Sequence, residues 1–177
     1  VCNYSFLNIE SNRIAYYGNS SLGFERIYKK FSPLIKTGKG QIRILHIGDK
    51  YYRIGEGHKE YIPDKTIDEE FRLLTIAAIC DECRSCGYYE GNIYLAVGCP
   101  TAMLAAQRES TRGYFLSNPH IDCEYNNKHF VLEIVGCFVY PQGYAAVTDY
   151  LHNMTGVNMV IDIGNGTANI LQINNKR

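Results

Sequence analysis

The chain has 177 residues, enough for one domain with a substantial core. Apolar residues make up 46% and charged residues 20%, a globular rather than a disordered or fibrous balance. Lys plus Arg equals Asp plus Glu, so the formal net charge is zero, which argues against a nucleic-acid coat or a membrane-surface binder held by bulk charge.

Residues 1–35 are rich in Tyr, Asn and Ser and carry two weak strand patterns, Tyr4–Ile9 and Arg13–Tyr17. Q-I-R-I-L-H-I then alternates at the strand period, Gly48-Asp49 suits a hairpin turn, and K-Y-Y-R-I-G returns. A helix is expected next, over D-K-T-I-D-E-E-F-R-L-L-T-I-A-A-I-C-D-E-C-R-S-C-G, with Thr66 and Glu69 as a capping box and Gly87 as the C-terminal cap. Its middle is apolar on nearly every side, so it should be buried against a sheet. N-I-Y-L-A-V-G-C-P reads as a fully buried strand, followed by a helix over about 102–115 that Thr101 can cap. Asn126-Asn127 joins I-D-C-E-Y to the long strand H-F-V-L-E-I-V-G-C-F-V-Y, and Pro141-Gln142-Gly143 opens a further helix that closes near Gly156.

Strands therefore alternate with helices while hairpins interrupt the alternation. That pattern predicts an α/β layered domain, a mixed sheet flanked by helices, with a small β-rich insertion at about 36–65. The chain does not begin with Met and stops at N-N-K-R directly after a strand pattern, so residues 1–177 are expected to be an incomplete domain of something larger.

The last strand pattern, M-V-I-D-I-G-N-G-T-A-N-I-L, drives a carboxylate into a glycine turn. Alternation puts Met159, Ile161 and Ile163 on one face and Val160 and Asp162 on the other. A carboxylate buried without a partner costs several kcal/mol, so Asp162 needs hydrogen bonds or a metal, directly or through water. Gly164 and Gly166 allow a sharp turn, and its N–H groups with the Thr167 hydroxyl can face an anion. A carboxylate beside an anion-binding loop suits a Mg²⁺-nucleotide site; the alternative is a hairpin whose Asp caps the turn.

V-I-D-I-G-N-G-T-A-N-I resembles the second phosphate motif of the actin, heat-shock chaperone and sugar-kinase superfamily, typically D-I-G-G-G-T-x-D. K-Y-Y-R-I-G-E-G, D-K-T-I-D-E-E-F-R-L-L-T-I-A-A-I, I-Y-L-A-V-G-C-P-T-A-M-L-A-A-Q-R-E and F-V-Y-P-Q-G-Y-A-A-V follow the same order as in the plasmid-segregation branch, the ParM/StbA-like actin homologues. The resemblance covers about residue 31 to the end. It implies an actin-like ATPase (ribonuclease H-like) fold and a filament-forming, nucleotide-hydrolysing function with ATP or GTP and Mg²⁺. Asp162 would hold Mg²⁺ through water and help polarise the attacking water. Gly164, Asn165, Gly166 and Thr167 would wrap the phosphates, and Gln142 would position the hydrolytic water. Implied partners are further copies of the protein and a DNA-binding adaptor, with no direct nucleic-acid contact, no membrane and a cytoplasmic location.

The sequence departs from the family pattern in two places. Asn169 stands where many relatives carry an acid, and nothing in residues 1–35 matches the first phosphate motif, D-x-G-x-x-N/T-x-K. The second half of the fold is missing too, so the chain alone is expected to be inactive. The rival readings are a non-enzymatic assembly module that keeps the fold, and a small-molecule kinase of the same superfamily.

Cys80, Cys83 and Cys86 have metal-ligand spacing, C-x-x-C-x-x-C. On a continuous helix three such thiols do not converge, so Cys80 and Cys83 are expected as buried apolar residues and Cys86 at the helix end. Seven scattered cysteines otherwise read as reduced thiols, and the five histidines show no H-x-x-x-H pair. No uninterrupted apolar stretch reaches the ~18 residues of a membrane-spanning helix.

Overall fold

The computed structural model describes residues 14–19, 43–54, 64–163 and 168–174. Strands β1 (Ile14–Asn19), β2 (Arg43–Ile47), β3 (Lys50–Ile54), β4 (Glu90–Cys99), β5 (His120–Tyr125) and β6 (Lys128–Pro141) form a six-stranded sheet in the order β1-β3-β2-β5-β6-β4. Strands β7 (Val157–Ile163) and β8 (Ala168–Asn174) form a separate two-stranded sheet. The helices are α1 (Glu69–Ser85) and α2 (Leu104–Leu116). The sheet is mixed: β4 and β6 run parallel and the other neighbours antiparallel. The expected strand at Tyr4–Ile9 lies outside the described residues, and β2 and β3, from the stretch read as an insertion, are strands of the large sheet.

Both expected hairpins form where the turn residues put them. Gly48 has φ of 59° between β2 and β3, and Asn126 and Asn127 have φ of 49° and 64° between β5 and β6. A type I′ hairpin turn needs positive φ at both central residues, which Asn126 and Asn127 supply and Asn tolerates better than most residues, whereas at Gly48-Asp49 only the first residue, a glycine, is at positive φ. In β6 one residue is extra: Ile93 pairs with Ile134 but Tyr94 pairs with Gly136, so Val135 bulges out. The bulge resets the alternation, which is why Ile134, Cys137 and Val139 all reach the core.

Helix α1 is buried along most of its length, through Phe71, Leu73, Leu74, Ile76, Ala77, Ile79, Cys80 and Cys83. It ends in a Schellman motif: Gly87, at φ 68°, donates to the Arg84 carbonyl (3.1 Å), and Tyr88 donates to that of Cys83 (2.8 Å). Its start differs from expectation. The Thr66/Glu69 box is replaced by Asp68, whose carboxylate accepts from the Glu70 N–H at 3.1 Å. Thr66 is engaged elsewhere, because Asp64 accepts both its N–H (2.9 Å) and its hydroxyl (2.7 Å).

Three further expectations are corrected. Thr101 does not cap α2: it lies inside a 3₁₀ turn, Thr101–Met103, and α2 begins at Leu104 without a side-chain cap. The segment Ala145–Asn153 is 3₁₀ rather than α-helical. β-Branched Val147 and Thr148 stand in its first half, and the Thr148 hydroxyl donates to the Ala145 carbonyl at 2.8 Å, a local bond that competes with the α-helical ladder. Strand β4 is buried on one face only, through Leu95, Val97 and Cys99, while Tyr94 on its other face is exposed.

Both helices pack on one face of the sheet, and their buried residues share a single cluster with Leu45, Tyr52, Ile121, Cys123, Tyr125, Phe130, Leu132 and Val139. Phe115 of α2 meets Phe71 of α1 edge-on at 5.6 Å. Where α1 passes β5 and β2, Asp81 accepts from the Tyr125 hydroxyl (2.9 Å) and pairs with Arg43 (3.2 Å) and Arg84 (3.4 Å). Among the described residues no helix is long and apolar enough to cross a membrane.

Tyr125 is fully buried and its hydroxyl bonds a charged acceptor. Tyr125→Phe is therefore expected to lower unfolding free energy by about 2 kcal/mol, read from the urea midpoint at unchanged m-value.

Candidate functional site

Parallel pairing brings the carboxyl ends of β4 and β6 side by side, with Gly98 opposite Tyr140 and Cys99 opposite Pro141. In open α/β sheets this end of the parallel strands is where ligands bind. The chain leaves β6 in a tight turn over Pro141 to Tyr144, closed by the Tyr144 N–H donating to the Pro141 carbonyl at 3.1 Å. Gly143, at φ 84°, sits at the third position, which a type II turn requires. The Tyr140 and Tyr144 rings stack across the turn at 5.7 Å and 6°.

This turn holds Gln142 from below. The Gln142 N–H donates to the Cys99 carbonyl at 2.8 Å, carrying the hydrogen bonding across to β4. Gly98 makes room for the stem: a Cβ there would lie 3.2 Å from Gln142 Cγ. From the other side comes the β7–β8 hairpin. Asp162 is directly opposite Asn169, so the two side chains share a face. Asn169 is buried, with 7% of its surface exposed, and its Nδ2 donates to Gln142 Oε1 at 2.9 Å. Asp162 is half-buried, and a Cβ at Gly143 would approach its Cβ to 3.5 Å and Val160 Cγ1 to 3.4 Å.

The turn that carries Gln142 thus meets the β7–β8 hairpin at Asn169, with Asp162 beside Asn169 on the same face of the hairpin and against Gly143. In the sequence Asn169 stands out only as a departure from the family pattern, not as a member of the site. Its bond to Gln142 spans 27 positions, and no local spacing signals it. Gly164, Asn165, Gly166 and Thr167 lie outside the described residues. Strand alternation is as expected, with Met159, Ile161 and Ile163 on the face away from Asp162, but that apolar face is exposed, Ile163 at 80%. The face that carries Asp162, with Asn169, Leu171 and Ile173 of β8, is the one turned inward.

Cys80 and Cys83 are buried in α1 and Cys86 is exposed at its end. Cys80 meets Cys123 of β5 at 3.6 Å, and this contact together with burial pushes the Cys80 thiol well above its ordinary range. Burial likewise raises Cys99, and takes Cys137 to about 11. Among the described residues no group of His, Cys, Asp and Glu is arranged to hold a metal ion.

No family model and no curated protein sequence matches the chain. Solved structures do match in fold. The apo ParM protein of psk41 superposes with a TM-score of 0.65 at 18% identity, over 94% of this chain and 55% of that one. Ta0583, an archaeal actin homologue, gives 0.58 at 19% over 93% and 50%, and AlfA from the B. subtilis plasmid pLS32, solved as a filament, gives 0.54 at 17% over 78% and 53%. The chain has the α/β fold of the ParM-like actin homologues and spans about half the length of each of these.

Gly143→Ala puts a side chain at a positive φ and against Val160 and Asp162. A loss of about 1–2 kcal/mol in unfolding free energy is expected, with the turn displaced from β7. Thiol alkylation of the native protein at neutral pH, read by peptide mass spectrometry, should label Cys86 first among the described cysteines and spare Cys80, Cys99, Cys123 and Cys137.

Proposed function

We propose that this actin-fold chain is the first lobe of a nucleotide-dependent, filament-forming ATPase of the plasmid-segregation type. The observation that carries the proposal is the convergence of Gln142, Asn169 and Asp162 at the carboxyl ends of β4 and β6. Support also comes from Ta0583, whose structure is known with ADP, and from AlfA and Alp12, whose structures are filaments.

The residues present fit a magnesium nucleotide. Asp162 supplies a half-buried carboxylate, a hard oxygen donor of the kind Mg²⁺ takes directly or through water. Bound Mg²⁺ would supply charge neutralisation along the phosphates. The chain's own part is positional: Asp162 orients a hydrated cation and accepts from water, and Gln142 holds a water in line. Gln142 is too weak a base to take a proton outright, so it orients rather than abstracts. Gly164, Asn165, Gly166 and Thr167 complete this proposal as the phosphate-wrapping turn.

The two open surfaces suit a lobe that works within a larger molecule. On the outer face of the β7–β8 hairpin Val157, Met159, Ile161, Ile163 and Ile170 are exposed, a denser apolar patch than a monomer normally shows water. On the large sheet Tyr94 and Phe138 stack at 6.3 Å, both exposed. In this proposal the first patch carries the second lobe, residues 1–177 form an incomplete first lobe, and copies of the whole cytoplasmic protein assemble into filaments coupled to DNA through an adaptor. Zero net charge makes direct DNA binding by this segment unfavourable.

The test is nucleotide binding by the full-length protein with and without Asp162→Ala, measured by titration calorimetry in Mg²⁺ and in EDTA. Wild type should bind ATP or GTP more tightly in Mg²⁺, and the variant should lose that difference, about tenfold or more in Kd. An unchanged Mg²⁺-dependent Kd and turnover in the variant would overturn the assignment of Asp162.

A further inference from the structure

We infer that Cys80 and Cys123 are a latent disulfide pair, a redox-sensitive staple that ties α1 to β5 when a peroxide oxidises it. The staple does not depend on nucleotide hydrolysis.

Among the described residues the C-x-x-C-x-x-C run of α1 is not arranged as a metal site, but its first thiol meets a sulfur of the sheet. Cys80 Sγ lies 3.6 Å from Cys123 Sγ, and the two residues are 0% and 3% exposed within the main core. Neighbours on both elements hold this contact. Asp81, next on the helix, accepts from the Tyr125 hydroxyl at 2.9 Å, and Tyr125 follows Cys123 on the inward face of β5. Cys123 is also paired across the ladder with Phe130 of β6, which is fully buried. Two adjacent residues of α1 thus meet two inward residues of one strand. The sulfurs stand about 1.5 Å beyond the distance of a disulfide bond, a gap for side-chain rotation to close.

In the reduced protein the pair is inert. Contact with Cys123 and burial push the Cys80 thiol well above its ordinary range, so it keeps its proton, and thiol chemistry needs the thiolate. Oxidation therefore waits for the C-terminal half of α1 to lift locally. A sulfur exposed in this way attacks one oxygen of hydrogen peroxide. The O–O bond breaks, one water leaves, and the sulfur becomes a sulfenic acid. When α1 settles back, the partner sulfur attacks the sulfenic sulfur. The S–O bond breaks, the S–S bond forms and a second water leaves. The thiols together give up two electrons and two protons, and the peroxide takes them as it becomes two waters. The closed core keeps out bulky thiols such as glutathione, so the contact across the layer directs the second step. The loop closed by the bond contains β4 and α2, so the bond restrains a long stretch of the unfolded chain.

The experiment treats the full-length protein with hydrogen peroxide in urea well below the unfolding transition, alkylates it, and digests it without reductant. Mass spectrometry should find a Cys80–Cys123 linked peptide as the main cross-link involving either residue. The link should form about tenfold or more faster in low urea than in buffer, and dithiothreitol should remove it. Oxidation should raise the Tm by about 8 °C or more, and reduction should return it. Cys80→Ala and Cys123→Ala should each lose both the link and the rise, and Cys86→Ser should keep both. The wild-type readings decide the matter even where an alanine variant does not fold. Peroxide-treated wild type in which Cys80 and Cys123 stay alkylatable after denaturation, or are joined chiefly to other cysteines, would overturn the inference. So would a linked pair with an unchanged Tm.

Discussion

The parallel pairing of β4 with β6 is the constraint on which the rest of the molecule depends. Two parallel strands cannot be joined by a tight turn, so the chain must cross between them. It does so through α2 and β5, and the crossing places α2 over the same face as α1. The pairing also delivers Cys99 and Pro141 to one edge of the sheet. There the main chain of the following turn bonds back to β4, and the hairpin that closes the described structure settles against both. The helices hold the strands in place from one side, and the chemistry-bearing groups gather at one end.

The second level of organisation is the economy of polar groups. Asp81 collects a tyrosine hydroxyl and two guanidinium groups where α1 crosses β5 and β2. Asn169, more deeply buried, bonds an amide. Leaving such groups unsatisfied would cost on the order of 1–3 kcal/mol each, so the polar contacts specify geometry as much as they stabilise it. At Asp81 the specified geometry is the attitude of a helix. At Asn169 it is the direction of one side chain that stands beside a carboxylate.

What the sequence made legible follows from the range of the forces involved. The hairpin turns at Gly48-Asp49 and Asn126-Asn127, the helix end at Gly87 and the buried character of α1 are set by neighbours a few residues away, and they read correctly. Errors arose where local candidates competed. Thr66 looked like a cap until Asp64 claimed its hydroxyl, and Thr101 lies in the 3₁₀ turn that precedes α2. The run over 145–153 has helical composition, yet its own Thr148 and Val147 favour the tighter 3₁₀ form. Strand β4 looked fully buried because its apolar residues include Tyr94 and Ala96, which face the open side of the sheet. The Asn169–Gln142 contact was beyond reach, since it depends on how a separate sheet docks onto the first.

That separate sheet has a mechanical meaning. No ladder of main-chain hydrogen bonds joins the described residues of β7–β8 to the six-stranded sheet. Among the described residues, contact with the Thr101–Met103 turn and the amide pair at Gln142 hold it in place. Changing its tilt therefore costs side-chain contacts rather than a row of cooperative bonds, and a lever attached to the hairpin's outer apolar face would pivot about Asn169 and Gln142.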